Sequence, residues 1–133
     1  MNIRPAHLAV AVVAATSLVT VAVPAQARSG SGGHVVVHRG SCSAATDWKL
    51  KVGTDNGRLE VEGEVDSNRA GQTWTWRIVH NGSLAASGTR RTAAPSGSFG
   101  VRRVLGNRRG TDTVTLRAEN TRSGEVCRGT VRF

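Results

Sequence analysis

The stretch DWKLKVGTDNGRLEVEGEVD, residues 47–66, decides the fold. Trp48, Leu50 and Val52 alternate with Asp47, Lys49 and Lys51. Leu59, Val61 and Val65 then alternate with Glu60, Glu62 and Glu64. A period of two sends apolar side chains to one face and charges to the other, as in a half-buried strand. Between the two runs lies Thr54-Asp55-Asn56-Gly57, whose Asn-Gly tip is a tight hairpin signal. The segment predicts two antiparallel strands, wet on one face and buried on the other.

The same pattern recurs outward from this hairpin. Trp74, Trp76 and Ile78 alternate with Thr73, Thr75 and Arg77, and Asn81-Gly82 supplies a second hairpin tip. Ser83 to Thr89 is a weaker strand, and Ala94 to Gly97 a loop containing Pro95. Phe99 and Val101 open a strand that runs to about Leu105, and Gly106 to Gly110 turns the chain. Val114, Leu116 and Ala118 alternate with Thr113, Thr115 and Arg117. After a turn at Asn120 to Gly124, Cys127, Val131 and Phe133 share one parity and Arg128, Thr130 and Arg132 the other. About seven strands at regular spacing predict an all-β fold, a two-sheet antiparallel sandwich of immunoglobulin-like or fibronectin-III-like form. A small barrel is the alternative. Antibody domains proper fit poorly, because the chain has no Tyr and its cysteines do not fall in the second and sixth strands.

Met1 to Ala27 reads as a cleaved signal peptide: Arg4 near the start, an Ala- and Val-rich run from Ala6 to Val23, then Ala25-Gln26-Ala27. Residues 28–41 read as a flexible amino-terminal arm, with Val35-Val36-Val37 either a short first strand or part of that arm. Residues 42–133 form the folded domain. The mature form has no membrane span, and the expected location is secreted, extracellular. There a single bond between Cys42 and Cys127 is the default, closing a loop of about 85 residues. No cofactor is called for.

Five short segments carry a family likeness: Asp47-Trp48-Lys49-Leu50-Lys51, Glu64-Val65-Asp66-Ser67-Asn68, Ala70-Gly71-Gln72, Pro95-Ser96-Gly97-Ser98-Phe99 and Ala118-Glu119-Asn120. On these the mature region resembles a group of small secreted actinobacterial proteins of unknown function. The resemblance implies a secreted Ig-like domain. It carries across no catalytic or binding residues.

Charge gives the functional lead. The chain has 18 Lys and Arg against 9 Asp and Glu, a formal charge of +9, which loss of Arg4 lowers to +8. From Ser67 to Thr111 there is no acid and there are eight Arg, six of them in the pairs Arg90-Arg91, Arg102-Arg103 and Arg108-Arg109. One patch built from these pairs would bind an anionic polymer through its charge. The competing expectation is structural. In such sandwiches the second and fifth strands are neighbours, so Glu60, Glu62 and Glu64 would lie beside Arg102 or Arg103 and neutralise them. Consecutive Arg102 and Arg103 must also point to opposite faces.

Other chemistry finds less support. His34 and His38, four residues apart in an extended segment, lie about 13 Å apart and do not share one metal ion. His80 reads as a surface histidine, and there is no nucleophile elbow. Trp48, Trp74 and Trp76 read as core. The sequence therefore predicts a non-catalytic, monomeric, extracellular or cell-surface binding domain. Its partner is unknown, with an anionic polymer as one alternative. A small protease inhibitor presenting Asp66 to Gln72 or Thr92 to Ser98 is another.

Overall fold

The computed structural model of the protein describes residues 33–133; the signal peptide expected over 1–27 and the residues up to 32 lie outside them. The described residues form eight strands and no helix: β1 (Val35–Ser41), β2 (Asp47–Asp55), β3 (Arg58–Asp66), β4 (Thr73–His80), β5 (Ser83–Arg91), β6 (Ser98–Leu105), β7 (Thr113–Asn120) and β8 (Val126–Arg132). All pair antiparallel in two four-stranded sheets, β1-β2-β3-β6 and β5-β4-β7-β8.

The seven strands read from the sequence are β2 to β8. The eighth, β1, lies in the segment assigned to the flexible arm. It runs in unbroken register beside β2, from Val35 opposite Gly53 to Ser41 opposite Asp47. Periodicity could not reveal it, because three Val in a row carry no alternation and most of β1 is exposed. Both Asn-Gly tips behave as turn chemistry requires. Asn56 and Gly57 have φ of 50° and 75°, and Asn81 and Gly82 of 49° and 83°. These values suit the two-residue hairpins whose twist matches that of the strands.

Both sheets turn one face onto a shared core. The first contributes Leu50, Val52, Leu59, Val61, Val65, Phe99 and Val101. The second contributes Trp74, Trp76, Ile78, Val114, Leu116, Ala118, Cys127 and Val131. Trp74 and Trp76 are buried as expected, and Trp74 packs across the sandwich with its ring 6.4 Å from that of Phe99. Glycines let the sheets approach. A Cβ on Gly63 would meet Leu116 at 2.9 Å. One on Gly129 would lie 2.1 Å from the ring of half-buried Trp48, and one on Gly40 would meet the same ring at 2.8 Å. Trp48 is thus slotted between β1 and β8.

That side of the sandwich is closed further by the Cys42–Cys127 disulfide, which joins the turn after β1 to the inward face of β8. Hydrogen bonds accompany it. Ser43 N–H donates to Val126 O at 2.8 Å, and His38 Nδ1 lies 2.8 Å from Thr130 O. The His34 ring packs against Phe133 in a tilted contact, with centroids 5.0 Å apart.

At one end of the sandwich, a polar cluster ties the β6–β7 connection to the β4–β5 hairpin. His80 is not the surface histidine its sequence context suggests: its side chain is 9% exposed, and Nε2 lies 2.6 Å from Asp112 Oδ1. The Asp112 side chain is 1% exposed. It also accepts from Asn81 Nδ2 at 2.8 Å and from the Arg108 backbone N–H at 3.1 Å. Burial pushes the Asp112 carboxyl up, but the hydrogen bonds from His80, Asn81 and the Arg108 backbone outweigh it and hold the pKa below its usual value. The unfolded chain therefore takes up this proton at a higher pH than the folded one. The carboxylate's contribution is complete above about pH 4 and is lost as pH falls through the lower folded value. An Asp112→Asn variant should unfold at lower urea than the parent, by about 1–3 kcal/mol at pH 7. The gap should narrow as pH falls from 4 toward 2; a gap that stays constant would count against ionised Asp112 as the fastening.

Candidate polyanion-binding face

Alternation in β3 sends Glu60, Glu62, Glu64 and Asp66 to the outer face of the first sheet. Cations meet them from both sides. From β2, Lys49 reaches Glu64 at 2.7 Å and Lys51 reaches Glu62 at 3.0 Å. From β6, Arg102 bonds Glu60 and lies 3.9 Å from Glu62. The Arg102 hydrogen bond is the main reason the Glu60 carboxyl titrates below its usual range. With Asp47 and Asp55 at the ends of β2, this face carries six of the nine acids, balanced by Arg39, Lys49, Lys51, Arg58 and Arg102.

The three Arg pairs named from the sequence lie in different places. Arg102 is taken up by the Glu strand, with Glu62 directly opposite. Arg103 turns inward, its guanidinium 5.0 Å from the centroid of the Trp76 ring, and donates to Arg102 O at 2.7 Å. Arg90 and Arg91 end β5 at one end of the sandwich. Arg108 and Arg109 lie in the β6–β7 connection, which leaves β6 at the other end. The strands between these ends span about 25 Å.

Pairing brings together a different set. On β4, Arg77 faces Arg117 of β7, and Arg117 faces Arg128 of β8. All three point to solvent, because the alternate residues Trp76, Ile78, Leu116, Ala118, Cys127 and Gly129 are buried. With strands about 4.8 Å apart, the three Cα atoms fall within about 10 Å. Arg132 on β8 and Arg91 on β5 add two more guanidinium groups to the same outer face. Its one acid is Glu119, 2.8 Å from Arg117. Hydroxyls fill much of the rest: Thr89 faces Thr75, Thr115 shares a 2.9 Å hydrogen bond with Thr130, and Thr73 faces Arg91. A shallow pocket of about 670 Å³ opens here, with Thr75, Arg77, Thr89 and Arg117 in its lining.

Like charges directly opposite on antiparallel strands are destabilising. Among the described residues no carboxylate lies within 4 Å of Arg77 or Arg128. Guanidinium forks and hydroxyls in register along a flat sheet can engage successive anionic groups of an extended chain. Sequence reading missed this row because its members are 40 and 11 residues apart. The available signal was parity alone: Arg77, Arg117 and Arg128 each sit at the polar position of their strand.

The two loops suggested as inhibitor loops pack on each other. Ser67 N–H donates to Gly97 O at 3.0 Å, and a Cβ on Gly97 would fall 2.1 Å from Arg69 N. Compared with known proteins, the chain matches no family model, no curated protein and no solved structure.

An Arg77→Thr variant removes the repulsion with Arg117 and places a good strand former beside Thr75. Urea unfolding should show it as stable as the parent or more stable, by up to about 1 kcal/mol. A loss beyond about 1 kcal/mol would mean that the Arg row holds the sheet together.

Proposed function

We propose that the protein is a secreted, non-catalytic domain of Ig-like or fibronectin-III-like form that holds anionic polymers at the cell surface on the outer face of its second sheet. The observation that carries this reading is the division of charge. One outer face pairs acids with bases, while the other sets five Arg against one Glu.

The formed Cys42–Cys127 bond is compatible with export, since such bonds persist in oxidising compartments. The resemblance to small secreted actinobacterial proteins points the same way. The fold assignment draws on strand order. With β1 set aside as an added edge, β2-β3-β6 against β8-β7-β4-β5 corresponds to three strands A-B-E against four strands G-F-C-C′. The bridge differs from that of antibody domains, because it fastens the turn after β1 to β8 rather than crossing the core between the second and sixth strands.

Binding on such a face is driven by release of counterions from the polymer and falls steeply with salt. Chain ends and side groups of the polymer matter less than its linear charge density. The Thr hydroxyls between the Arg rows add hydrogen bonds without adding charge. The inhibitor alternative rests on Ala93 to Ser96, the exposed part of a loop held to its neighbour at Ser67 and Gly97; the division of charge favours the polymer reading over it.

A linear polyphosphate serves as the probe. Affinity should fall linearly on a log–log plot against salt. Arg77→Ala, Arg117→Ala and Arg128→Ala combined should reduce that slope by about 2, while Lys49→Ala with Lys51→Ala should leave it unchanged. Equal losses in the two variants would overturn the assignment of binding to this face.

A further inference from the structure

We infer that the loop end of the sandwich holds a second, discrete site for a single phosphate monoester, built by Arg69, Arg91 and Arg122. The three come from separate segments: the β3–β4 loop, the end of β5 and the β7–β8 turn. They line one pocket of about 570 Å³ together with Gln72, Thr73 and Thr121. No acid lines it. Among the described residues none of the three guanidinium groups has a carboxylate within 4 Å. Three acids lie three residues from one of these Arg: Glu119 pairs with Arg117, Asp66 accepts the Asn68 N–H, and Glu125 lines an adjoining pocket shared with Arg69, where Thr46 N–H and Oγ1 bond its two oxygens.

The segments that bring these charges together are cross-braced. Thr92, 3% exposed, donates its hydroxyl to Arg69 O at 2.6 Å and accepts the Gln72 N–H at 2.9 Å. Gly71 N–H reaches Thr92 O at 2.8 Å. Asn120, also 3% exposed, accepts the N–H groups of Arg122 and Ser123 at 2.9 and 3.0 Å. Thr121 donates both N–H and hydroxyl to Thr73 O. The braced backbone thus roots three exposed Arg side chains around one cavity whose lining supplies no carboxylate. An anion removes the repulsion among them, and what binding still has to order is the Arg side chains and not the segments that carry them.

The charge and shape of the pocket select the class of anion. A carboxylate or a sulfate ester brings one negative charge to three cations. A phosphate monoester brings about −1.5 to −2 at pH 7 and three acceptor oxygens, which matches three guanidinium forks. The cavity has room for the group that bears the phosphate. This site shares Arg91 with the margin of the polyanion face but uses none of the Arg77-Arg117-Arg128 row, and Arg69 and Arg122 belong to it alone, so either proposal can fail alone.

Calorimetric titration of the disulfide-bonded protein at low salt tests it, with glucose 6-phosphate and inorganic phosphate as probes and glucose 6-sulfate as the singly charged control. The phosphate ester should bind at least tenfold more tightly than the sulfate ester at pH 8. That ratio should collapse toward one at pH 5, as the phosphate takes up its second proton near pH 6. Arg91→Ala with Arg122→Ala should weaken phosphate-ester binding tenfold or more, while Arg77→Ala with Arg128→Ala should leave it unchanged. Inorganic phosphate binding as tightly as the ester would assign the site to the free ion, and weaker binding to the esterified group; both keep the site. Equal affinity for phosphate and sulfate esters at pH 8, or undiminished binding in the Arg91/Arg122 variant, would overturn it.

Discussion

The carboxylates of β3 set the electrostatics of the whole molecule. Lys49 and Lys51 meet them from β2, and Arg102 meets them from β6. Each exposed pair contributes little to stability. Their larger effect is on location, since they confine most of the acids to the outer face of one sheet. A protein with a formal charge of +9 must then carry its excess elsewhere, and the other sheet receives it as Arg77, Arg91, Arg117, Arg128 and Arg132. Glu119 alone offsets them there. The repulsive row on the second sheet and the paired face on the first are two sides of one arrangement.

The rest of the fold serves to hold that second sheet steady. Large apolar residues are few, so Trp74, Trp76 and Trp48 supply much of the packing, and Gly63 and Gly129 make room for it. One side of the sandwich is fastened by the disulfide, the slotted Trp48 and the Ser43 and His38 hydrogen bonds to β8. The other is covered by Arg103 lying over Trp76. At one end, the buried Asp112 binds the β6–β7 connection to the β4–β5 hairpin. A sheet braced on these sides presents its cross-strand rows at fixed spacing, which a linear ligand with regular charges requires.

Much of this was legible in the chain. Period-two alternation placed seven strands, and the two Asn-Gly tips placed both tight hairpins. Parity identified Trp74 and Trp76 as core, and showed that one of Arg102 and Arg103 must turn inward. Strand order for a two-sheet sandwich anticipated the Glu60 and Glu62 contacts with Arg102. What stayed hidden depended on register or on loops. β1 lacks alternation, so Val35-Val36-Val37 stayed open between a short first strand and part of the arm. The Arg77-Arg117-Arg128 row exists only through the pairing of β4 with β7 and of β7 with β8, which no local pattern in the chain encodes. Asp112 sits in a connection, where no periodicity marks it as buried.

The central claim is that the outer face of the second sheet is the binding surface. Amide chemical-shift mapping during titration with a short polyphosphate tests it most directly. Shifts should concentrate on Thr75 to Val79, Thr115 to Glu119 and Val126 to Thr130, with Lys49 to Val52 and Glu60 to Glu64 unmoved. Shifts centred on β2 and β3, or spread evenly over both sheets, would contradict it.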